Sequence, residues 1–343
     1  MSSANAHFIL GIDTSCDETS MAVYDSTSQR TLSNVVSSQI KTHARFGGIV
    51  PEVASRAHME NILLVYHAAL KEAGIAEKDL CAVAVTSRPG LMGCLLVGCG
   101  FAKGLSYQLG IPLIGVNHLE AHLFSPYIGS TPQFPFLGLV VSGGHTAFYK
   151  VSDFDQVDLL GQTVDDAAGE AFDKCAKMLG LGYPGGPIVD QLAQQGNEAA
   201  FVFKEAKVKM GPQYLSFSGL KTAVQTAIKN CGDDLQNKQN DLCASLQAII
   251  SKTLCNKALY FLEEHQLSSL ALSGGVAMNS RLRSDIKQFG KSKGVTTFIA
   301  EPAYCTDNGA MVAYLASHRQ GEDQKMNLTV KPNQKIQARR LKK

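Results

Sequence analysis

The sequence predicts an α/β protein made of two similar halves, and three features carry that expectation. Strand-like apolar runs alternate with helix-length amphipathic segments, a pattern that favours sheets covered by helices. The alternation begins twice with the same device, two apolar strands joined by a short polar bend, once at Phe8 and again at Phe134. A Ser-Gly-Gly turn follows an apolar strand at Ser142–Gly144 and recurs after another at Ser273–Gly275.

Phe8–Thr14 reads as a strand, Ser15–Glu18 as a polar turn and Thr19–Tyr24 as the returning strand. Pro51–Ala73 reads as a helix, followed by the strand Cys81–Thr86, the loop SRPG and a Gly-rich helix over 94–109. The strand PLIGV ends near Val116 and leads into NHLEAHLF, after which 125–133 has the Pro, Gly and Ser of a boundary. Phe134–Val151 repeats the strand-turn-strand opening. Asp165–Leu179 is predicted as an amphipathic helix, Tyr183–Pro187 as a bend that starts another, and Asp234–Glu264 as long helix beside the strand Ser268–Leu272. The expected domains are a first α/β half over 1–130 and a second over 131–306 with helical insertions. A terminal helix within 307–324 would return to the first half, and 325–343 would form a flexible basic tail.

At 343 residues the chain is long enough for two cores at roughly 150 residues per domain. Its 45% hydrophobic and 18% charged residues exclude a disordered chain. The first residues lack a basic region followed by a long apolar run, and the apolar stretch Gly93–Val116 is interrupted by Lys103 and Pro112. A cytoplasmic protein without a membrane segment is therefore expected. Nine cysteines at irregular spacing contain no CxxC pair, which favours buried free thiols over disulfides or a thiolate zinc site. The net charge of +2 hides an asymmetry. Seven basic and no acidic residues lie in 325–343, leaving the first 324 residues at −5. Such a tail either contacts phosphates or only solubilises the terminus.

His118 and His122 are four apart and so share one helical face, where two imidazoles can reach one metal or serve as satisfied polar groups. Asp307 could add an oxygen ligand, but sequence alone does not bring it near. HLEAH is not the zinc-protease order, because Glu120 points about 200° away from His118 and should face solvent or another partner. Asp13, Asp17 and Glu18 gather three carboxylates at the first turn, able to orient a metal, water or amine, or simply solvated. Asp173 and Asp190 could accept hydrogen bonds from ribose hydroxyls, or lie on helix surfaces. Gly185 and Gly186 could make room beside a purine, and Asn279 offers both donor and acceptor. Ser142 and His145 flank a Gly pair whose backbone can approach an anion. The chain lacks the P-loop pattern, a complete GxGxxG fingerprint and the GxSxG nucleophile elbow, and Cys16 has no identifiable base. Arg45, Arg56 and the lysines of 204–209 are either phosphate contacts or solubilising charge.

Taken together, GIDTSCDET, FGGIVPEVASRAH, SRPGLMG, NHLEAH, VSGGHT, GEAFDK, GYPGGP, SFSGLKTA, ALSGGVAMN and EPAYCTDNGA resemble the family of tRNA N6-adenosine threonylcarbamoyltransferases, in its bacterial branch, from about Phe8 to Arg319. The resemblance implies the duplicated actin-like ATPase, sugar kinase and Hsp70 fold, with a ligand cleft between two halves. It implies His118, His122 and Asp307 as ligands of one divalent metal, Fe2+ or alternatively Zn2+. It implies Val141, Ser142, Gly143, Gly144, His145, Asp173, Gly186, Asp190 and Asn279 as contacts to the activated nucleotide, and Asp17 and Glu18 as acids at the reacting end. The family more often carries Glu at Asp13, which makes Asp13 a supporting residue here. The implied reaction moves a threonylcarbamoyl group from threonylcarbamoyl-adenylate to N6 of adenosine 37 in tRNAs reading codons that begin with A, and releases AMP. The implied partners are the tRNA anticodon stem-loop, a related inactive actin-like protein, a small P-loop ATPase and, in the pathway, the enzyme that makes the donor. A sugar-kinase-like phosphotransferase and a nonenzymatic nucleotide-dependent scaffold are the competing expectations.

Overall fold

A computed structural model describes residues 7–319, 323–324, 327–334 and 336. Most of the basic 325–343 segment lies outside the described residues. The rest falls into two compact units, the first within Met1–Gln133, Phe154–Gln156 and Thr306–Arg339, the second within Phe134–Asp153 and Val157–Cys305.

The first unit opens with the hairpin β1 (Phe8–Asp13) and β2 (Glu18–Asp25), joined by the acidic turn, and adds β3 (Arg30–Ser38) antiparallel to β2. Helices α1 (Ile40–Ala44) and α2 (Pro51–Ala73) follow. Pro51 starts α2 because its missing N–H is free anyway in the first turn, and Gly74 ends it at φ 69°, where a side chain would be strained. Then come β4 (Leu80–Arg88), α3 (Met92–Leu109), β5 (Leu113–Asn117) and α4 (His118–Phe124). The sheet order is β3-β2-β1-β4-β5, with β1, β4 and β5 parallel. Ile62, Tyr66 and Leu70 of α2 pack with Leu10, Val83 and Val85 of the sheet into one core. That burial holds the β1–β2 turn and the β5–α4 junction on a rigid base.

The second unit uses the same plan. Its strands are β6 (Phe136–Val141), β7 (Thr146–Asp153) and β8 (Gln156–Gln162), followed by α5 (Ala168–Met178), α6 (Gly185–Ala193), α7 (Ser218–Cys231) and α8 (Leu235–Glu264). Strand β9 (Ser269–Ser273), helix α9 (Ser280–Lys293) and strand β10 (Thr296–Ile299) complete it. The order β10-β9-β6-β7-β8, read from the other edge, repeats the first sheet: a hairpin, one strand beside its second arm and two parallel strands beside its first. Leu139, Phe148, Phe261 and Leu272 are central to its core.

Thr306 returns the chain to the first unit, where α10 (Gly309–Ser317) lies on β1 and β2. The approach is backbone to backbone. A Cβ on Gly309 would lie 2.5 Å from Ala22 N and 2.6 Å from Gly11 O. None of the described helices is long and apolar enough to cross a membrane. All nine cysteines are free, five of them buried and four half-buried.

One reading of the sequence needs correction. The helix expected from Asp165 starts only at Ala168. Asp165 instead accepts hydrogen bonds from Ser216, Phe217 and Ser218, at 2.5–3.2 Å, and so ties down the start of α7. A short carboxylate beside unpaired N–H groups of a helix start does more there than inside a helix. Of the two places expected for Glu120, solvent or another partner, the structure has the partner. Glu120 pairs with Arg319 at 2.6 Å, on the side of α4 away from the histidines.

Candidate functional site

In the first unit, α4 begins directly at the end of β5, and the side chain of Asn117 caps it by accepting from the N–H groups of Leu119 and Glu120. The cap fixes the helix start, so His118 and His122 project one turn apart from an anchored element. Their rings lie 4.6 Å apart at 84°. Asp307 enters from the segment before α10, which Asn308 caps through Met311 N–H. Its Oδ1 is 3.5 Å from His118 Nε2 and 3.1 Å from His122 Nε2. One ligand atom from each of the three lies within 4.8 Å of the other two.

Asp13, at the end of β1, is fully buried and uses both oxygens. Oδ1 accepts from Ser15 N–H and O–H at 2.9 and 2.7 Å, while Oδ2 accepts from Thr86 at 2.5 Å and contacts His118 Nδ1 at 3.0 Å. Ser15 Oγ also lies 3.2 Å from that nitrogen. A carboxylate on Nδ1 leaves Nε2 aimed at Asp307, the arrangement that prepares an imidazole to bind a metal.

Charge explains the rest of the cluster. Burial works to lower the pKa of His118, but Asp307 and Asp13 outweigh it and raise it to about 9. His122 is lowered because burial outweighs its bond to Asp307, and its buried Nδ1 has no partner among the described residues. Two imidazole nitrogens and one carboxylate oxygen form a donor set that suits Fe2+ or Zn2+ and leaves coordination positions open. The residues present therefore fit a divalent metal.

Asp17 is buried and Glu18 half-buried on the adjacent turn. Burial and then Asp307 raise Asp17. The same causes, with Asp17 added, push Glu18 up to about 10. Glu18 consequently keeps its proton and donates it to the Asp17 carboxylate, which also receives the Cys16 thiol. Burial and the surrounding acids hold Cys16 far above the usual thiol range, which removes it as a nucleophile.

These shifts predict a stability effect. Because Glu18 is raised from 4.5 to about 10 on folding, its contribution is full below about pH 4.5 and is lost as the pH rises toward 10. Glu18→Gln should stabilise the metal-free protein at pH 8 by on the order of 1–2 kcal/mol, and leave it nearly unchanged at pH 4.5. Thermal melts at the two pH values check this, with about 2–4 °C expected per kcal/mol.

In the second unit the expected nucleotide contacts fall into two groups. Ser142 N–H donates to His145 O at 2.7 Å and His145 N–H to Ser142 Oγ at 3.1 Å, closing the turn after β6. Gly143 and Gly144 are exposed at its tip, where an added Cβ would meet nothing. Close glycines support the turn. A Cβ on Gly169 would lie 2.7 Å from Ser142 O, and one on Gly274, at φ 91°, would collide with Val141 O. The second group is a chain of polar bonds. Asp173 accepts from Gly185 N–H at 2.7 Å, with burial raising its pKa, and Gly186 next to it is open. Asp190 accepts from Ser280 N–H and O–H at 3.0 and 2.7 Å. Asn279 caps α9 through Leu282 N–H and donates to Gln247. Its side chain is thus already engaged, and what it offers a ligand is the placement of the turn.

Thr86, Ser280 and Gln247 were not legible in the sequence as site residues. Ser280, directly after Asn279 at a helix start, carried the only local signal.

The family model described as TsaD: tRNA N6-adenosine threonylcarbamoyltransferase matches residues 30–314. A tRNA N6-adenosine threonylcarbamoyltransferase of Thermodesulfovibrio yellowstonii is 48% identical over 310 residues, 89% of this chain and 92% of that protein. One from Anaeromyxobacter dehalogenans is 49% identical over 312 residues, 90% of this chain and 93% of that protein. Among solved structures, HypF of T. kodakarensis has a TM-score of 0.62 at 14% identity, covering 94% of this chain and 49% of that one, so the chain spans about half of HypF. The activator of 2-hydroxyisocaproyl-CoA dehydratase from Clostridium difficile, with bound ADPNP, has a TM-score of 0.50 at 11% identity and covers 96% of this chain and 100% of that one. These two likenesses fix the fold as the duplicated actin-like and Hsp70-like one. With two repeated sheets and a match over most of its length to proteins nearly half identical, the chain belongs to the tRNA N6-adenosine threonylcarbamoyltransferase family.

Proposed function

We propose that this protein transfers the threonylcarbamoyl group of threonylcarbamoyl-adenylate to N6 of adenosine 37 in tRNAs reading codons that begin with A, and releases AMP. The family membership supports the transfer to a tRNA adenosine. The observation that carries the chemistry is the buried His118–His122–Asp307 cluster, with the Asp17 and Glu18 carboxyls next to Asp307. Fe2+ or Zn2+ held by those three residues would supply Lewis acidity toward an oxygen of the donor.

The donor is a mixed anhydride, so the leaving phosphate is already good and positioning dominates. The N6 lone pair attacks the carbamoyl carbon, the bond from that carbon to the phosphate oxygen breaks, and N6 sheds a proton. The Asp17–Glu18 pair beside the cluster offers a carboxylate to accept that proton. The open turn at Gly143 and Gly144 suits a phosphate, and Asp173 and Asp190 suit the hydroxyls of the nucleotide. Asp173→Asn should weaken donor binding about tenfold or more, the loss of a hydrogen bond to a charged group, while metal content stays at the wild-type level. Equilibrium binding of the adenylate, with metal analysis of the same samples, checks it.

The partner reading has support of its own. Met59 and Leu63 of α2 and Met92 and Leu96 of α3 are each more than half exposed, and a Cβ on Gly93 would lie 3.1 Å from Ser55 Cβ, so the two helices bring these side chains to one apolar face. Such a face suits a protein partner, here the related inactive actin-like protein, with the small P-loop ATPase joining the complex. Cytoplasmic localisation fits the substrate. Incubating the purified chain with adenylate, unmodified tRNA, Fe2+ and the partner proteins tests the function. A mass gain on the anticodon loop is expected, and phosphate transfer to a sugar, or binding without modified tRNA, would overturn it.

A further inference from the structure

His58 lies in the FGGIVPEVASRAH segment, is completely buried on α2 and takes no part in the chemistry above. Its ring reaches the acidic turn from both sides. Nε2 is 3.0 Å from Cys16 O, just before Asp17, and Nδ1 is 2.7 Å from Thr19 Oγ1, just after Glu18. Burial lowers its pKa, so the ring is neutral and carries one proton. A carbonyl can only accept, so that proton sits on Nε2 and Nδ1 accepts from the Thr19 hydroxyl.

The neighbouring groups agree with this single arrangement. Gln39 Nε2 donates to Ala54 O at 3.3 Å and approaches His58 Nδ1 at 3.5 Å, which fixes its amide orientation. Its Oε1 then accepts from His43 Nε2 at 3.1 Å, leaving His43 Nδ1 to accept from Val50 N–H at 3.4 Å. Gln39 N–H closes the circuit by donating to Asp17 O at 3.0 Å. The backbone of the turn is therefore bonded at Cys16 O and Asp17 O, and the side chain of Thr19 is bonded beyond it, all to one buried polar relay.

We infer that His58 is a positioning residue that holds the Cys16–Thr19 turn so that Asp17 and Glu18 face the reacting amine. The inference rests on the reading of the Asp17–Glu18 pair as the source of the proton acceptor. A buried relay with every donor and acceptor matched specifies one geometry, and losing its central ring leaves a carbonyl and a hydroxyl without partners. The turn would then relax while the metal ligands, on α4 and before α10, stay in place.

Single-turnover transfer is measured for the full chain with its partners, for His58→Leu, for His58→Gln, for Thr19→Val, for the double variant Asp17→Asn with Glu18→Gln, and for that double variant carrying His58→Leu. His58→Leu should slow the chemical step about 10- to 100-fold, with metal content unchanged and donor Kd within about threefold. His58→Gln, whose amide can still donate to Cys16 O, should recover most of the rate. Thr19→Val gives a milder loss and serves if His58→Leu does not fold. In the double-variant background His58→Leu should cost less than about threefold, since the groups it positions are gone. Equal losses in both backgrounds, or a folded His58→Leu at the wild-type rate, overturn the positioning role. If instead the double variant alone keeps the full rate, the carboxyl reading itself falls, and that result is separate from the other two.

Discussion

Replacing His118 by alanine is expected to lower single-turnover transfer at least about 100-fold, the scale of losing an electrostatic stabiliser of developing charge, and to abolish stoichiometric metal binding. His122→Ala should do the same to metal and rate, because both Nε2 atoms face the same Asp307 oxygen. Stability separates the two. In the metal-free protein His118 is the cation between Asp13 and Asp307, whereas His122 is neutral with an Nδ1 unpartnered among the described residues. Removing His118 leaves two carboxylates without their counter-charge, at a cost of about 1–3 kcal/mol. Removing His122 costs the volume of the ring and its hydrogen bond to Asp307, but no counter-charge.

The pH dependence follows from the direction of the shift. His118 is raised from 6.5 to about 9, so its stabilisation is full below about pH 6.5 and is lost as pH rises through 9. The stability gap between wild type and His118→Ala should therefore close between those values, and the gap for His122→Ala should not. Denaturant melts of chelator-treated protein at pH 6 and pH 9.5, with metal analysis and single-turnover assays at neutral pH, check all three statements. Full metal occupancy and unchanged transfer in His118→Ala would remove the proposed ligand role.

The sequence made the centres of both sheets legible because β1, β2, β4, β6, β7 and β9 are almost continuously buried and read as apolar runs. The unread strands were β3, β8 and β10. All three are sheet edges, short of burial on one side and rich in Ser, Thr and Gln, so their pattern merges with loop. β5 is also an edge, yet it was read, since it is parallel to β4 and buried at all five positions. The same distinction governs the site. His118 and His122 declare themselves by spacing on one helix face, and the acid turn by three carboxylates in six residues. Gln39 and His43 stand only four apart, but nothing local ties them to His58, because that pairing depends on α2 packing against β2 and β3. The engaged side chain of Asn279 shows the reverse case, in which a residue read for its chemistry acts as a helix cap.

Asp307 lies 185 residues from His122, and what joins them is the close seating of α10 on the β1–β2 hairpin. Gly309 makes that seating possible two residues after the ligand. Its N–H donates to Ser20 Oγ at 2.9 Å, and a Cβ there would lie within 2.8 Å of Ala22 N, Gly11 O and Met21 C, all of them backbone atoms of paired strands. A sheet backbone in register cannot yield, so the helix must move instead. Gly309→Val should therefore cost about 1–3 kcal/mol as overpacking. Lifting the first turn of α10 should also draw Asp307 away from the two histidines and weaken metal binding about 10- to 100-fold, as expected when the support of a ligand is lost. A second glycine supplies the control. Gly104 is exposed on α3, and a Cβ there meets nothing within 4 Å, so Gly104→Ala should raise stability by about 0.5–1 kcal/mol and leave metal affinity alone. Chelator competition and thermal melts on both variants give the answer. Wild-type metal affinity in Gly309→Val would mean that Asp307 is held by something other than the contact between α10 and the hairpin.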